Sequence, residues 1–331
     1  MVDQYWAHEI TGLEIFQNYL SRNRPILIRG LIDNWPAVDR YSLKRLLETD
    51  GDSMVQQSSI PYSSKFGGDG MENIMLRDYI HQMRNHSLVG GTHPWYVFVG
   101  TPLSRRVRED SLVDVDVIPT PPVIAEALHY VNMGPNYRNN EHNAYDRKLE
   151  VTRKDFINAQ WALGGEGTGA PIHFHNTAWN ALLYGAKKWF LYPPSDMIMS
   201  SRQIREFVEE GDLKGFADRG VQVTTCVQVA GDVMIVPESW GHGVLNIQES
   251  VAVATESKGS MWRVRANIEV MKKLPDNNRD RYKSKNEPSP FADKLPDEIA
   301  MESVDSNRQR LDRKHYHPER RNGNRGRDGE K

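Results

Sequence analysis

Residues 171–176 read Pro-Ile-His-Phe-His-Asn, a short apolar stretch with two histidines that has the character of a β-strand. Side chains in a strand alternate between its two faces, so His173 and His175 are predicted on one face and Ile172 and Phe174 on the other. Two imidazoles on one face can bind a single metal ion from a rigid platform. Chance among the 11 histidines, or the polar face of a sheet, would also produce this pair.

A third histidine, His242, follows much later in the chain, at the edge of another predicted strand. A double-layered β structure would bring this position beside the strand that carries His173 and His175. Three protein ligands on one side of an octahedral metal leave three positions open for a cosubstrate and oxygen. The sequence therefore predicts a metal site formed by these three histidines.

Short strands in close succession surround the histidines. They are predicted at 158–164, 171–175, 180–192, 221–229, 232–237 and 243–256, with one helix at 200–210. Many short strands separated by turn residues indicate a sandwich or barrel and not a βαβ fold. The predicted class is mainly β with flanking helices.

The remainder of the chain divides into an N-terminal region and a polar tail. Helices are predicted at 10–22, 42–49, 75–84 and 261–273, strands at 24–30 and 95–100, and a loop-rich stretch at 101–155. Few apolar residues follow position 275, so the tail is predicted to be disordered. The predicted organisation is an N-terminal region at 1–130, a β domain at 131–274 and the tail at 275–331.

The composition is ordinary for a globular protein, with 331 residues, 38% hydrophobic and 26% charged. A net charge of -2 gives no electrostatic reason to expect binding to nucleic acid or a membrane. The single cysteine, Cys226, excludes an internal disulfide and a cysteine-built metal site. The first residues lack the basic start and apolar segment of a secretory signal, so a chain that begins naturally at Met1 is expected in the cytoplasm or nucleus.

Lys187 lies within the largely apolar strand predicted at 180–192. A buried lysine is costly unless it meets an anion, so Lys187 is a candidate ligand for a carboxylate. The neighbouring Lys188 alternates to the opposite face and is expected in solvent. If this were an edge strand, both lysines would lie on the surface.

The order of these motifs resembles the JmjC (jumonji C) family of cupin-like oxygenases. The matching segments are 24–37, 167–169, 173–175, 185–194 and 240–242, within a resemblance that runs from about Leu13 to about Glu256. The resemblance implies a double-stranded β-helix, also called a jelly roll. It also implies oxygen-dependent hydroxylation, sometimes followed by demethylation, with Fe(II) and 2-oxoglutarate as cofactors.

The resemblance also implies roles for individual residues. His173 and His242 would be the first and last metal ligands, and Lys187 would pair with the far carboxylate of 2-oxoglutarate. Four more residues are implied in the 2-oxoglutarate pocket: Asn180, Asn246, Thr168 and Tyr96.

His175 departs from the family pattern, because most active members have an acidic ligand at this position. A neutral imidazole preserves the number of ligands but removes one negative charge, and three-histidine sites also suit Zn(II) or Cu(II). Glu166, in a Gly-rich loop ahead of the pair, could contribute a carboxylate. The His-x-His variant resembles a subgroup usually placed in the lumen of the secretory pathway, which would apply if the chain is a fragment.

The leading interpretation is an Fe(II)- and 2-oxoglutarate-dependent hydroxylase that acts on a protein or a small molecule. Two alternatives remain open: a catalytically silent JmjC scaffold that binds metal or a protein partner, and a metal-dependent cupin enzyme that does not use 2-oxoglutarate. Lys187, Asn180 and Asn246 favour an enzyme, because a scaffold has no need for a buried anion pocket. A solvent-facing Lys187 would favour the cupin enzyme that lacks 2-oxoglutarate.

Overall fold

The structure is a computed structural model, and its described residues are 2–59, 72–89, 95–102, 118–133, 156–196, 200, 202–209, 212–218 and 220–257. They all belong to one unit, Met1–Arg265. The predicted helix at 261–273 and the polar tail at 275–331 lie outside the described residues. The division of the chain at residues 130 and 274 stays a prediction.

The strands are β1 Asp3–Trp6, β2 Ile26–Arg29, β3 Met54–Ser58, β4 Glu72–Met75, β5 Tyr96–Pro102, β6 Phe156–Gly164, β7 Gly169–His173, β8 Ala178–Tyr184, β9 Ala186–Tyr192, β10 Thr224–Val229, β11 Val233–Val236, β12 Gly241–Asn246 and β13 Ser250–Ser257. The α-helices are α1 Gly12–Asn18, α2 Pro36–Arg40, α3 Leu43–Asp50, α4 Leu76–Val89, α5 Pro122–Met133, α6 Ile204–Glu209 and α7 Asp212–Asp218. Short 3-10 helices cover Leu20–Arg22 and Pro194–Asp196.

The described strands form two sheets. The large sheet has the order β1-β2-β11-β8-β13-β6-β5-β3-β4, and the small sheet has the order β10-β9-β12-β7. Between β6 and β13 the chain passes repeatedly from one sheet to the other, and the paired strands there are antiparallel. This arrangement confirms the predicted jelly-roll class, mainly β with flanking helices.

Gly185 is the corner at which the chain leaves the large sheet after β8 and enters the small sheet as β9. Its φ of 85° is in the left-handed region that glycine adopts readily, and a Cβ there would lie 2.0 Å from the carbonyl oxygen of Glu249. The single strand predicted at 180–192 is therefore two strands in different sheets. The strand predicted at 243–256 divides in the same way, because the chain turns at 247–249 between β12 and β13.

Two apolar clusters hold the small sheet in place. On its outer face, side chains of the sheet pack against Ile204 and Phe207 of α6. On its inner face, Trp189 and Leu191 of β9 pack against Met234 of the large sheet. Burial of each such side chain contributes roughly 1.5–3 kcal/mol, so both faces of the small sheet are fixed by packing.

Helix α5 lies in the stretch predicted to be loop-rich. It begins at Pro122, the last residue of a Pro-rich segment that resembles loop punctuation but supplies the proline favoured at the first helical position. The helix packs against α1, and the main-chain N–H of Gly12 donates to Glu126 Oε2 at 3.0 Å. None of the helices in the described ranges has the length and hydrophobicity required to cross a lipid bilayer.

Candidate metal centre

His173, His175 and His242 come together between the two sheets. One ring nitrogen from each lies within 4.8 Å of those of the other two, and the ring centroids are 4.3 to 5.4 Å apart. His173 is the last residue of β7 and pairs with His242 of β12 in the antiparallel ladder. Within the described part of the chain, this is the only group of side chains with the spacing required to hold a metal ion.

His175 reaches the group by a route that differs from the prediction. Because β7 ends at His173, His175 lies beyond the strand and not on its face. Its carbonyl oxygen accepts a hydrogen bond of 3.0 Å from the main-chain N–H of Ser239, in the turn that leads to His242. Ser239 has a φ of 65°, an unfavourable conformation for a residue other than glycine. A strained turn therefore joins the segments that carry two of the three histidines.

Each histidine is held in one tautomer by a main-chain carbonyl. The Nδ1 atoms of His173, His175 and His242 lie 2.7, 2.6 and 2.9 Å from the carbonyl oxygens of Pro171, Asn176 and Trp240, respectively. A carbonyl oxygen can only accept, so each Nδ1 carries the proton and each Nε2 keeps its lone pair. Nε2 is thus the atom that each ring offers to a metal, with Nδ1 as the orienting group.

His242 is buried and His173 and His175 are half-buried, and this environment favours the neutral form of all three rings. Desolvation and the neighbouring His175 lower the pKa of His173 to about 4. Desolvation also lowers the pKa of His175, and it lowers that of His242 well below its ordinary value. Because metals bind neutral imidazole, this donor set fits a divalent transition-metal ion such as Fe(II), Zn(II) or Cu(II). Glu166 is exposed and does not belong to the group.

The histidines line a cavity of about 320 Å³ between the sheets. Small side chains from neighbouring strands of the large sheet form much of its floor: Ala162 of β6, Ala178 of β8, and Ala252 and Ala254 of β13. These alanines leave room for a small ligand, as in other concave binding sites.

Lys187 lines the same cavity from β9 and is only 1% exposed. Its Nζ donates to the hydroxyl oxygen of Tyr96 at 3.5 Å, and no carboxylate of the described residues forms an ion pair with it. Burial lowers the pKa of Lys187 to about 7. The side chain of Lys188 lies against the Phe190 ring, 5.5 Å from its centroid. A buried ammonium without a carboxylate is poorly stabilised, so the cavity suits an anionic ligand.

The other four residues of the predicted pocket fall into two pairs. Tyr96 and Asn180 line the cavity. Thr168 and Asn246 are not among its lining residues, and Asn246 Nδ2 donates a hydrogen bond of 2.9 Å to Thr168 Oγ1. A Cβ at Gly164 would come within 2.8 Å of atoms of Tyr96, Thr168 and Asn246, so Gly164 lies at the centre of this group. The buried Oδ1 atoms of both asparagines lack a donor among the described residues, which fits a site completed by a polar ligand.

A pair of hydrogen-bonded residues, Trp189 and Gln228, supports the wall of the cavity. Sequence analysis does not predict this pair. Trp189 lines the cavity with its ring centroid 5.9 Å from that of His242, and its Nε1 donates to Gln228 Oε1 at 2.8 Å. The fully buried Gln228 donates in turn to the carbonyl oxygens of Asn180 and Asp232 at 2.9 and 3.0 Å. These contacts depend on the strand register, which cannot be read from the sequence.

Gln160 and Glu256 also line the cavity without having been predicted. Both are polar residues within the largely apolar strands β6 and β13. A polar side chain on the inner face of a sheet is a signal that the sequence contains, and the period-two pattern of these strands could have identified it.

The fold and the three-histidine group define a β-domain of the cupin type with a metal-binding centre between its sheets. The model of the Cupin-like domain family matches residues 13–256. The human JmjC domain-containing protein 8 is 30% identical over 247 residues, which cover 75% of this chain and 80% of that protein. The chain therefore belongs to the cupin-like JmjC family, and the resemblance predicted from its motifs is confirmed.

Two further relatives carry names that describe an activity. The arginine-specific demethylase JMJ22 of Arabidopsis thaliana is 27% identical over 271 residues, which cover 76% of this chain but only 45% of the plant protein. The 2-oxoglutarate and iron-dependent oxygenase JMJD4 of Danio rerio is 24% identical over 296 residues, covering 81% of this chain and 62% of that protein. The chain thus spans less than two thirds of the length of either relative.

Proposed function

We propose that the protein is an Fe(II)- and 2-oxoglutarate-dependent oxygenase that hydroxylates a protein or a small molecule. The observation that carries this proposal is the buried Lys187, which lines the same cavity as the three histidines and has no carboxylate partner among the described residues. A protein that only holds a metal gains nothing from an ammonium group at this position, and burial of the group costs several kcal/mol. A dianion that chelates a metal at one end and presents a carboxylate at the other satisfies both features.

The chain's own residues would bind and orient the reactants. The Nε2 atoms of the three histidines would hold the metal on one side. Lys187 would donate to the far carboxylate of 2-oxoglutarate. Burial raises the pKa of Tyr96, so its hydroxyl keeps its proton and can donate to the same carboxylate. Iron, 2-oxoglutarate and molecular oxygen would supply the oxidising chemistry when bound, while the protein supplies position and exclusion of water.

The departure at His175 is the observation that favours the alternative, a catalytically silent scaffold that binds metal or a protein partner. Three neutral ligands give the metal less negative charge than two histidines and a carboxylate, which alters its redox potential. The cupin enzyme without 2-oxoglutarate is less well supported, because Lys187 is buried and does not face solvent.

Spectroscopy of the iron-loaded protein tests the proposal. The protein is loaded with Fe(II) without air and titrated with 2-oxoglutarate, and the metal-to-ligand charge-transfer band is recorded in the visible region. The proposal predicts a saturable band that Lys187→Ala weakens and His175→Ala removes. Lys188→Ala is the matched control, since the neighbouring lysine does not line the cavity, and it should leave the titration unchanged.

The alternatives predict different outcomes of this titration. Absence of the band in the unmodified protein, with iron fully bound, would overturn the oxygenase proposal and support the scaffold. A band that Lys187→Ala leaves unchanged would show that the lysine does not anchor the cosubstrate.

A further inference from the structure

Glu256 is an acidic side chain that lines the cavity of the candidate metal centre. It belongs to β13, where it pairs with Ala178 of β8. Ala178 follows Asn176 by two residues. The proposed ligands themselves carry no negative charge, because His175 stands where a carboxylate is expected. The charge of a divalent ion would therefore be left without compensation by its ligands.

Glu256 is connected to His175 through one residue. Its Oε1 accepts from the main-chain N–H of Asn176 at 3.3 Å and from the side-chain Nδ2 of Asn176 at 3.0 Å. The carbonyl oxygen of Asn176 accepts from Nδ1 of His175 at 2.6 Å. One carboxylate oxygen thus holds both the backbone and the side chain of the residue that orients the imidazole.

A main-chain hydrogen bond ties the end of β13 to the segment that follows His175. The N–H of Ser257 donates to the carbonyl oxygen of Thr177 at 2.8 Å, immediately beside the contact between Glu256 and Asn176. The end of β13 is therefore attached to the segment that follows His175 at successive residues. Glu256 thus lines the cavity of the candidate metal centre without belonging to the three-histidine group.

We propose that Glu256 is a positioning residue that compensates, through Asn176, for the carboxylate absent at position 175. The inference rests on the proposed metal centre. Glu256 keeps the Asn176 carbonyl against Nδ1 of His175, which directs Nε2 to the metal. Its negative charge would also attract the metal cation, because Glu256 is half-buried at the wall of the same cavity, where water screens charges less than it does at the surface.

Binding of Co(II) tests this role without any assay of activity, because the visible bands of Co(II) report its ligands. The Glu256→Gln variant keeps the oxygen that accepts from Asn176 but removes the charge. Its affinity for Co(II), measured by competition with a chelator, should fall about tenfold, the size of effect found when partners of metal ligands are changed. The Co(II) bands should shift, and the urea midpoint of the metal-free variant should stay close to that of the unmodified protein.

Two further variants separate charge from structure. Glu209→Gln removes an exposed acid on α6 that pairs with Arg205, and it should leave Co(II) affinity unchanged. In a His175→Asp background the ligand itself carries the charge, so Glu256→Gln should change Co(II) affinity by about twofold or less.

Three results would overturn the inference. Unchanged Co(II) affinity and bands in Glu256→Gln, with normal binding by the unmodified protein, would overturn this role alone. If Glu256→Gln caused the same loss of affinity in the unmodified protein and in the His175→Asp background, Glu256 would not compensate for the missing carboxylate. Failure of the unmodified protein to bind Co(II) would remove the proposed metal centre, and this role with it.

Discussion

Replacement of Lys187 by methionine is expected to stabilise the metal-free protein at neutral pH while weakening its binding of 2-oxoglutarate. Methionine is unbranched and flexible, so it can occupy the volume of the lysine chain without a charge. Burial lowers the pKa of Lys187 from its ordinary value of 10.5 to about 7. The fold therefore disfavours the charged form of this side chain, and the substitution removes this unfavourable contribution to the stability of the folded protein.

The size of the effect follows from this difference in pKa. Between pH 7 and 10.5 the unfolded chain holds the lysine proton more tightly than the folded protein does, so the free energy of unfolding rises with pH. The lowered pKa of Lys187 reduces the free energy of unfolding by about 4 kcal/mol at pH 7 and by about 1 kcal/mol at pH 10. The gain in unfolding free energy caused by Lys187→Met should therefore be about 3 kcal/mol smaller at pH 10 than at pH 7.

Urea unfolding of the metal-free protein at pH 7 and pH 10 measures this difference. The quantity compared is the change in unfolding free energy caused by the substitution, so a packing defect common to both pH values cancels. Lys188→Met is the control, and its effect should not vary with pH in this way. If the effect of Lys187→Met were the same at both pH values, the reasoning from a buried and unpaired ammonium would be refuted.

Three other predictions concern the cavity and its support. Binding of 2-oxoglutarate at pH 8 should take up about one proton, because an anionic partner raises the pKa of Lys187; calorimetry in buffers of different ionisation enthalpy measures this uptake. Gly164→Ala should weaken 2-oxoglutarate binding at least about tenfold but spare Co(II) binding, because its Cβ would collide with Thr168 and Asn246. Equal losses in the two titrations would contradict that explanation. Gln228→Glu should lower the unfolding free energy by about 2 kcal/mol in urea, because a carboxylate would face two carbonyl oxygens to which the amide now donates; an unchanged midpoint would count against it.

The sequence predicts the class of fold because the alternation of side chains and the turn residues are local signals. It does not predict where the chain changes sheet. Gly185 lies within a largely apolar run, and its turn depends on a close approach to Glu249, which is distant in sequence. For the same reason the divided strands at 180–192 and 243–256 read as single strands.

The candidate site shows the same limit. The pairing of His173 with His242 follows from the family pattern, and the burial of Lys187 follows from its apolar neighbours. The route of His175 does not, because it depends on the point at which β7 ends and on hydrogen bonds to Ser239. Glu256 could be noticed as a polar residue in an apolar strand, but its contact with Asn176 depends on tertiary structure.

The ladder between β9 and β12 has a consequence for the choice of ligand. His242 stands opposite Leu191 and Asn246 opposite Lys187, so the metal-binding and ammonium-bearing positions lie on adjacent strands at a fixed offset of four residues, 246 minus 242. Four residues of strand span about 13 Å, so the ligand and the side chains of Lys187 and His242 would together have to bridge this interval. A slip of one residue would turn Lys187 to the opposite face. Under the proposed function, the register between β9 and β12 would set the distance between the metal centre and Lys187. Analogues of 2-oxoglutarate that are one carbon shorter or longer would then fail to reach both the metal and Lys187.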